Sequence, residues 1–268
     1  MADSVPRTML TIPRLVSHFS ELGIHQGMTL VVHSSLSRLG WVCGGGVAVI
    51  DALQQVLGAD GHLLMPTHKP DLSDPANWVN PPVPQTWWQE IRETMPPFEA
   101  AVTPSSGMGV VPETFRCRPG VCRSNHPQTS FAAAGPEAAW FTADHCLQDG
   151  LGEQSPLARV YERDGWVLLL GVGHERNTSF HLGERRGLAD RLPIVQNGAP
   201  LMVEGRREWV PFAEVELDNE DFAALGEKFE AGATSLRTAK VGQGIARLMR
   251  QREAVDFATA ELPAMRSA

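Results

Sequence analysis

Two short apolar runs constrain the fold of this chain more than any other feature. Val167-Leu168-Leu169-Leu170 and Met28-Thr29-Leu30-Val31-Val32 read as buried strands, and each stops at residues that turn the chain or carry chemistry. Gly171 and Gly173 follow the first; His33 and a polar loop through Arg38 follow the second. Beyond Gly173 the spacing predicts a polar helix on which Thr178, His181 and Glu184 recur every third residue. A step of three residues turns back by about 60° on a helix, so the three side chains fan across one face. A hydroxyl, an imidazole and a carboxylate just past the C-terminal end of a buried strand stand where open α/β sheets place their active sites. The alternative is a surface helix whose histidine has no special partner.

The rest of the chain extends this frame. Thr11 and Pro13 open a helix carrying Leu15, Val16, Phe19 and Leu22, with Gly23 near its end. The strand at 28–32, the loop to Gly44-Gly45-Gly46, a helix ending at Gly58 and a strand from His62 to Met65 form a strand–helix–strand crossover. Ser155-Pro156 starts another helix. From Thr67 to Pro104 the text is irregular: eight prolines, three of the seven tryptophans (Trp78, Trp87, Trp88) and scattered carboxylates. Such a stretch is either a substrate-side loop or an ordered insertion over a sheet edge. Past residue 190, Asn197-Gly198 and Gly205 punctuate short β-prone runs, which predicts a small antiparallel meander followed by helices over 219–231 and 239–259.

Composition excludes some functions. With 268 residues there is enough chain for one large α/β domain or two small ones. The net charge of −8 disfavours nucleic acid, whose phosphates need a basic footprint, and suits a cationic small molecule. No apolar run approaches 18 residues and no basic-then-apolar leader precedes the first helix, so neither a membrane nor export is expected; the expected location is the cytoplasm. The four cysteines (Cys43, Cys117, Cys122, Cys146) form no CxxC pair. A Cys117–Cys122 bridge is conceivable across Pro119-Gly120, but reduced thiols are expected.

Two more constellations bear on binding. Ser34, Ser35 and the glycine triplet precede a helix, where hydroxyls and unpaired amides favour anions, although neither nucleotide-binding fingerprint is matched. Arg116, Arg118 and Arg123 crowd a second glycine-bearing stretch, either to meet a phosphorylated cofactor or as a solvated face.

Five segments occurring in order carry a family resemblance: HSSLSRLGWVCGGG, LLMPTH, TPSSGMGVVPETFRCRPGVCRSNHPQTSFAAAG, GEQSPLARVY and VLLLGVGHERNTSFHLGE. Together they resemble the aminoglycoside 3-N-acetyltransferases, strongly over residues 10–190 and loosely in the tail. The resemblance implies a mixed central sheet flanked by helices, with a smaller antiparallel β-rich portion towards the C-terminus, in a single domain over 1–268. It implies acetyl-CoA as co-substrate, a cationic amine as acceptor and no metal; for a chain of this size a monomer or homodimer is expected. By resemblance the catalytic set is Thr178, His181 and Glu184, and the cofactor lies against His33, Ser34, Ser35, Ser37 and Arg38 and against Thr103, Ser105, Met108 and Gly109. Arg38 or Arg116 would balance its charge. Asp71, Asp74, Glu99 and Trp78, with Trp87 and Trp88 as walls, are expected on the acceptor side; Lys69 is a cation out of place there.

The residue types fit that chemistry. An aliphatic ammonium must lose a proton before attacking a thioester, and imidazole titrates near neutrality. Glu184 can orient the ring, and Thr178 can donate to the developing oxyanion or the departing thiolate. Three other routes are compatible with the residues: a ping-pong path through Cys43, a metal-dependent hydrolase built on His174, His181 and Glu184, and a binding module without turnover. Within the resembled family, another amine could also replace the aminoglycoside.

Overall fold

Apolar runs without polar alternation need cover on both faces, and the sheet provides it. The structure, a computed structural model, describes residues 8–267; the expected span of 1–268 thus includes residues 1–7 and 268, which lie outside the described residues. The strands are β1 (Met9–Leu10), β2 (Thr29–Ser34), β3 (Trp41–Val42), β4 (His62–Pro66), β5 (Cys122–Arg123), β6 (Phe131–Ala134), β7 (Trp166–Leu170), β8 (Ile194–Val203), β9 (Arg206–Val215), β10 (Arg237–Val241) and β11 (Gly244–Arg250). The helices are α1 (Ile12–Leu22), α2 (Gly45–Leu57), α3 (Trp88–Thr94), α4 (Val110–Arg116), α5 (Ala138–Thr142), α6 (Pro156–Glu162), α7 (Ser179–Leu188), α8 (Phe222–Gly232) and α9 (Gln251–Met265).

Seven strands form a mixed sheet in the order β10-β11-β7-β2-β4-β6-β5. The middle three, β7, β2 and β4, are parallel, and the flanking strands join them antiparallel. Leu30 and Val32 of β2, with Leu168 and Leu170 of β7, pack on one face against α1, α2 and α4. Val31 faces the other way towards α5 and α6, and Val167 and Leu169 meet α7, α8 and α9 there. Both faces being covered, the parallel strands read as continuous apolar text. Each such side chain contributes roughly 1.5–3 kcal/mol on burial.

The chain leaves β2 through α2 to β4 on one side, whereas β7 pairs on the other side with His33 opposite Leu169 and Ser34 opposite Leu170. That reversal of strand order opens a crevice beyond the carboxyl ends of β2 and β7. α7 then returns over the sheet and packs on α9 with almost no spacing. A Cβ on Gly183 would lie 2.5 Å from Ala258 Cβ and 2.7 Å from the Val255 carbonyl, and one on Gly187 would lie 2.4 Å from the Thr259 carbonyl. Glycine at both positions lets the two backbones touch.

The C-terminal third departs from the expectations. The predicted helix over 239–259 is instead the hairpin β10–β11 followed by α9 from Gln251. Ala246, Leu248 and Met249 have helix-favouring neighbours, but pairing of β11 with β7 decides their conformation. The expected meander is one long hairpin: β8 and β9 pair over ten residues, the turn is at Glu204-Gly205, and Asn197-Gly198 lies inside β8. The irregular segment after Thr67 contains α3 and lies along this hairpin, with Phe98 N–H bonded to the Pro200 carbonyl at 2.9 Å and Asp74 N–H to Asn197 Oδ1 at 2.8 Å. All four cysteines are free thiols.

Candidate active site

The first residues beyond β7 and β2 shape the crevice. Ser35 N–H bonds to the Leu170 carbonyl at 2.9 Å, which stitches the two strand exits together. Gly171 takes φ +73°, and a Cβ there would lie 3.0 Å from the Ser35 carbonyl, so this crossing needs glycine. A single turn at His174–Arg176 follows, and Asn177 Oδ1 accepts from Ser179 N–H at 3.2 Å as α7 begins.

Thr178 stands at the helix start without capping it. Its hydroxyl instead meets His33 Nε2 at 3.3 Å. One turn on, His181 Nδ1 lies 2.7 Å from Glu184 Oε2. Glu184 is wholly buried. Its other oxygen accepts from the Asp218 N–H at 3.1 Å and from Arg266. Burial alone would push this carboxyl up, but the hydrogen bonds from His181, Arg266 and the Asp218 amide outweigh it and hold it below the usual range. An ionised carboxylate only accepts, so Nδ1 carries the proton and Nε2 of the neutral ring keeps its lone pair. The Phe222 ring, with its centroid 4.7 Å from that of His181, braces the imidazole.

His33 is buried, which pushes its pKa down to about 3. His68 falls to about 3 through burial first and then through the neighbouring His33 and His181. Both rings are therefore neutral around pH 7. Ser34 Oγ and His68 Nε2 are buried without a hydrogen-bond partner, and both residues face a cleft of about 1050 Å³ that opens over the pair.

An imidazole with its lone pair towards a large cleft, backed by a buried carboxylate, suits proton abstraction from a nucleophile. Comparison with known proteins supplies the family. A family model described as aminoglycoside 3-N-acetyltransferase matches residues 31–263. The chain belongs to this family. It is 46% identical over 253 residues to the SPbeta prophage-derived aminoglycoside N(3')-acetyltransferase-like protein YokD of Bacillus subtilis (strain 168), covering 92% of each chain. It is 35% identical to aminoglycoside N(3)-acetyltransferase VII of Streptomyces paromomycinus, covering 94% of this chain and 91% of that one. The crystal structure of YokD from Bacillus subtilis superimposes with a TM-score of 0.94 at 44% identity, covering 98% of this chain and 96% of that chain. A structure of AAC-IIIb as a binary complex with CoASH superimposes with a TM-score of 0.84 at 31% identity, covering 96% and 98%. These are transferases, and acetyl-CoA is the co-substrate of the family.

The structure brings together most of the expected cofactor residues. His33, Ser34, Ser35, Ser37 and Arg38 line the cleft, as do Met108 and Gly109 and the pair Thr178 and His181. Ser35 and Ser37 hydroxyls lie 3.2 Å apart. Thr103 and Ser105 are not in the lining: Ser105 donates through both N–H and Oγ to Glu113, and Thr103 Oγ1 accepts from Glu99 N–H. Arg116 is spoken for by Glu113 and Arg118 by Asp51, while the half-buried Arg123 donates to neutral oxygens of Thr67, Ala100, Thr103 and Ser130.

Asp71, Asp74, Glu99 and Trp78 also lie outside the lining. Asp74 binds Arg92 through both oxygens and accepts from Ala76 N–H, and Trp78 Nε1 donates to Ser73 Oγ at 2.9 Å. Asp71 neutralises Lys69 at 2.5 Å, and Lys69 also donates to Ser106, which accounts for that cation. Trp87, Trp88 and the exposed Cys43 are not lining residues either. His174 does not join His181 and Glu184: it stacks on Phe180 and bonds Glu230 at 3.1 Å, so the three groups of the hydrolase alternative are not assembled.

Sequence reasoning missed one wall entirely. Gln243, Gly244, Ile245 and Arg247 of the β10–β11 hairpin line the cleft, as do Arg176 and Asn219. The available signal was Gly242-Gln243-Gly244, a glycine-bearing two-residue turn between β-prone runs. No spacing pattern marked Arg266, some 80 residues beyond the carboxylate it binds.

Proposed function

We propose that the protein transfers the acetyl group of acetyl-CoA directly to the 3-amino group of an aminoglycoside in a ternary complex, with His181 as general base. The observation that carries this reading is the bond from His181 Nδ1 to the buried Glu184, which leaves Nε2 for the cleft. The acceptor amine attacks the thioester carbonyl while its proton passes to His181 Nε2, and Glu184 stabilises the imidazolium. The C–N bond forms, the C–S bond breaks, and the thiolate of coenzyme A takes the proton from the imidazolium. Thr178, held by His33, donates to the oxyanion or to the departing sulfur; loss of such a donor typically costs ~3 kcal/mol.

The seat of the co-substrate is assigned to Ser34, Ser35, Ser37, Met108 and Gly109, with Arg38 and Arg176 facing its phosphates. Neither arginine has a carboxylate within ion-pair distance among the described residues. Support comes from a relative of this fold that binds CoASH.

A specific observation favours a second acceptor class. Among the described residues the cleft lining holds a single carboxylate, Glu175, which suits an amine less cationic than an aminoglycoside. One experiment tests both: thiol release from acetyl-CoA with a panel of aminoglycosides and simple amines, wild type beside His181→Ala. Release with aminoglycosides, abolished in the variant, is expected. Release only with simple amines moves the acceptor class, and retention of most of the kcat in His181→Ala removes the base assignment.

A further inference from the structure

We propose that Arg266, at the end of α9, is a positioning residue for acetyl transfer: its guanidinium bridges Glu184 and Asp221 and so holds the carboxylate that orients His181. The inference rests on His181 being the base.

The geometry is a three-way lock. Arg266 Nη1 donates to Glu184 Oε1 on α7. Its Nε and Nη2 grip the two oxygens of Asp221, just ahead of α8, at 2.8 and 2.9 Å, and Nη2 also donates to the Asp218 carbonyl at 2.7 Å. The Asp218 N–H completes the shell of Glu184 at 3.1 Å. One planar fork therefore fixes the helix bearing the base, the turn that supplies Phe222, and the C-terminal helix. A lysine ammonium has neither the reach nor the planar pair of donors to do so.

The electrostatics follow from burial. Glu184 is fully buried, and Arg266 is the one guanidinium or ammonium within ion-pair distance of it among the described residues. The other ionisable groups of this region are His181 on the same helix, Asp218 and Asp221 before α8, and the neutral His33 and His68 near His181. Without the guanidinium, a carboxylate bonded only to a neutral imidazole and one amide takes up a proton more readily. A protonated Glu184 no longer demands the proton on Nδ1, and the tautomer with a free Nε2 lone pair is no longer selected. Asp221 and the Asp218 carbonyl matter because they aim the guanidinium before substrate arrives.

Steady-state kinetics of Arg266→Gln, Arg266→Lys, Glu184→Gln and the Arg266→Gln/Glu184→Gln pair test this, with Arg186→Gln, whose half-buried guanidinium pairs with Glu153 rather than Glu184, as control. Arg266→Gln is expected to lower kcat by roughly ten- to a hundred-fold, the loss typical of a displaced catalytic group, with the KM for acetyl-CoA nearly unchanged. The acidic limb of its kcat/KM profile moves to higher pH, because a cation beside the pair is gone. Arg266→Lys recovers part of the loss, and added guanidinium restores activity to Arg266→Ala. In the Glu184→Gln background the Arg266 change adds little, since it acts through that carboxylate. A merely structural role would leave the two losses additive and the pH profile in place; either result overturns the proposal. If Arg266→Gln does not fold, wild-type kcat in Arg266→Lys overturns it equally. Activity in His181→Ala would sink the base assignment itself, whereas an inactive His181→Ala beside a fully active Arg266→Gln sinks only this inference.

Discussion

Substituting Gly183 by alanine tests whether contact between two backbones sets the position of His181, the proposed base. The added Cβ would stand 2.5 Å from Ala258 Cβ, 2.7 Å from the Val255 carbonyl and 3.1 Å from the Thr259 amide nitrogen. Ordinary contact begins near 3.4 Å, so α7 has to retreat from α9 by the better part of an ångström. Two of the three obstacles are backbone atoms that no rotamer change can move. Overpacking of this kind costs about 1–3 kcal/mol, which for a chain of this size lowers Tm by roughly 2–4 °C per kcal/mol. The retreat also carries His181 and Glu184, the latter adjacent to the substituted residue, away from Arg266 on α9. A displacement near 1 Å at a catalytic group can cost about a hundred-fold in rate. Thermal unfolding together with steady-state kinetics in acetyl-CoA reads both effects. Adding Ala258→Gly should recover only part of them, because the Val255 carbonyl remains. A Gly183→Ala variant with unchanged Tm and kcat would show that α7 has slack against α9 and refute the reasoning.

Other expected outcomes concern pH, cofactor and the irregular segment. His33, His68 and His145 have pKa values pushed by burial to about 3, 3 and 4, and His126 lies well below its ordinary value. The unfolded chain therefore binds protons below about pH 6.5 that the folded chain refuses, and stability falls as pH drops from there towards 4, by up to ~1.4 kcal/mol per pH unit for each ring; equal urea midpoints at pH 7.5 and 5 would contradict this. Replacing Arg38 or Arg176 by alanine should raise the KM for acetyl-CoA with little change in kcat, and the salt dependence of KM should weaken; an unchanged KM in both places the phosphates elsewhere. Asp74→Ala should lower Tm, since charged hydrogen bonds to Arg92 worth about 1.5–3 kcal/mol are lost, while acceptor KM stays put; a rise in acceptor KM at constant Tm would return Asp74 to the acceptor side. Thr178→Val should reduce kcat by about a hundred-fold, as for other oxyanion donors, and wild-type kcat would assign the hydroxyl a structural role.

The legible part of the protein is local. Val167–Leu170, Met28–Val32 and His62–Met65 announced the parallel middle of the sheet because strands covered on both faces need no polar alternation. Thr178, His181 and Glu184 were legible because a helix converts spacing of three into proximity, and the His181–Glu184 bond at 2.7 Å spans only those three residues. The loop from His33 to Arg38 could be tied to a site because it leaves a buried strand. Residues 239–250 were misjudged: Ala246, Arg247, Leu248 and Met249 favour a helix, and β7 makes them a strand.

Long-range partners fall outside any such pattern. Arg266 reaches Glu184, His33 reaches Thr178, and the β10–β11 turn closes the cleft, all through contacts between residues far apart in the chain. The carboxylates after Thr67 look available in the sequence, yet Arg92 and Lys69 occupy two of them and the β8–β9 hairpin draws the segment alongside itself. By itself, then, the sequence determined the sheet's middle strands, the strand exits that line the cleft, and the His181–Glu184 pair, since periodicity and turn preference act over a few residues. Tertiary structure alone decided which charges are satisfied, which walls the cleft has, and how the pair is held, because burial and ion pairing depend on what the whole chain brings together.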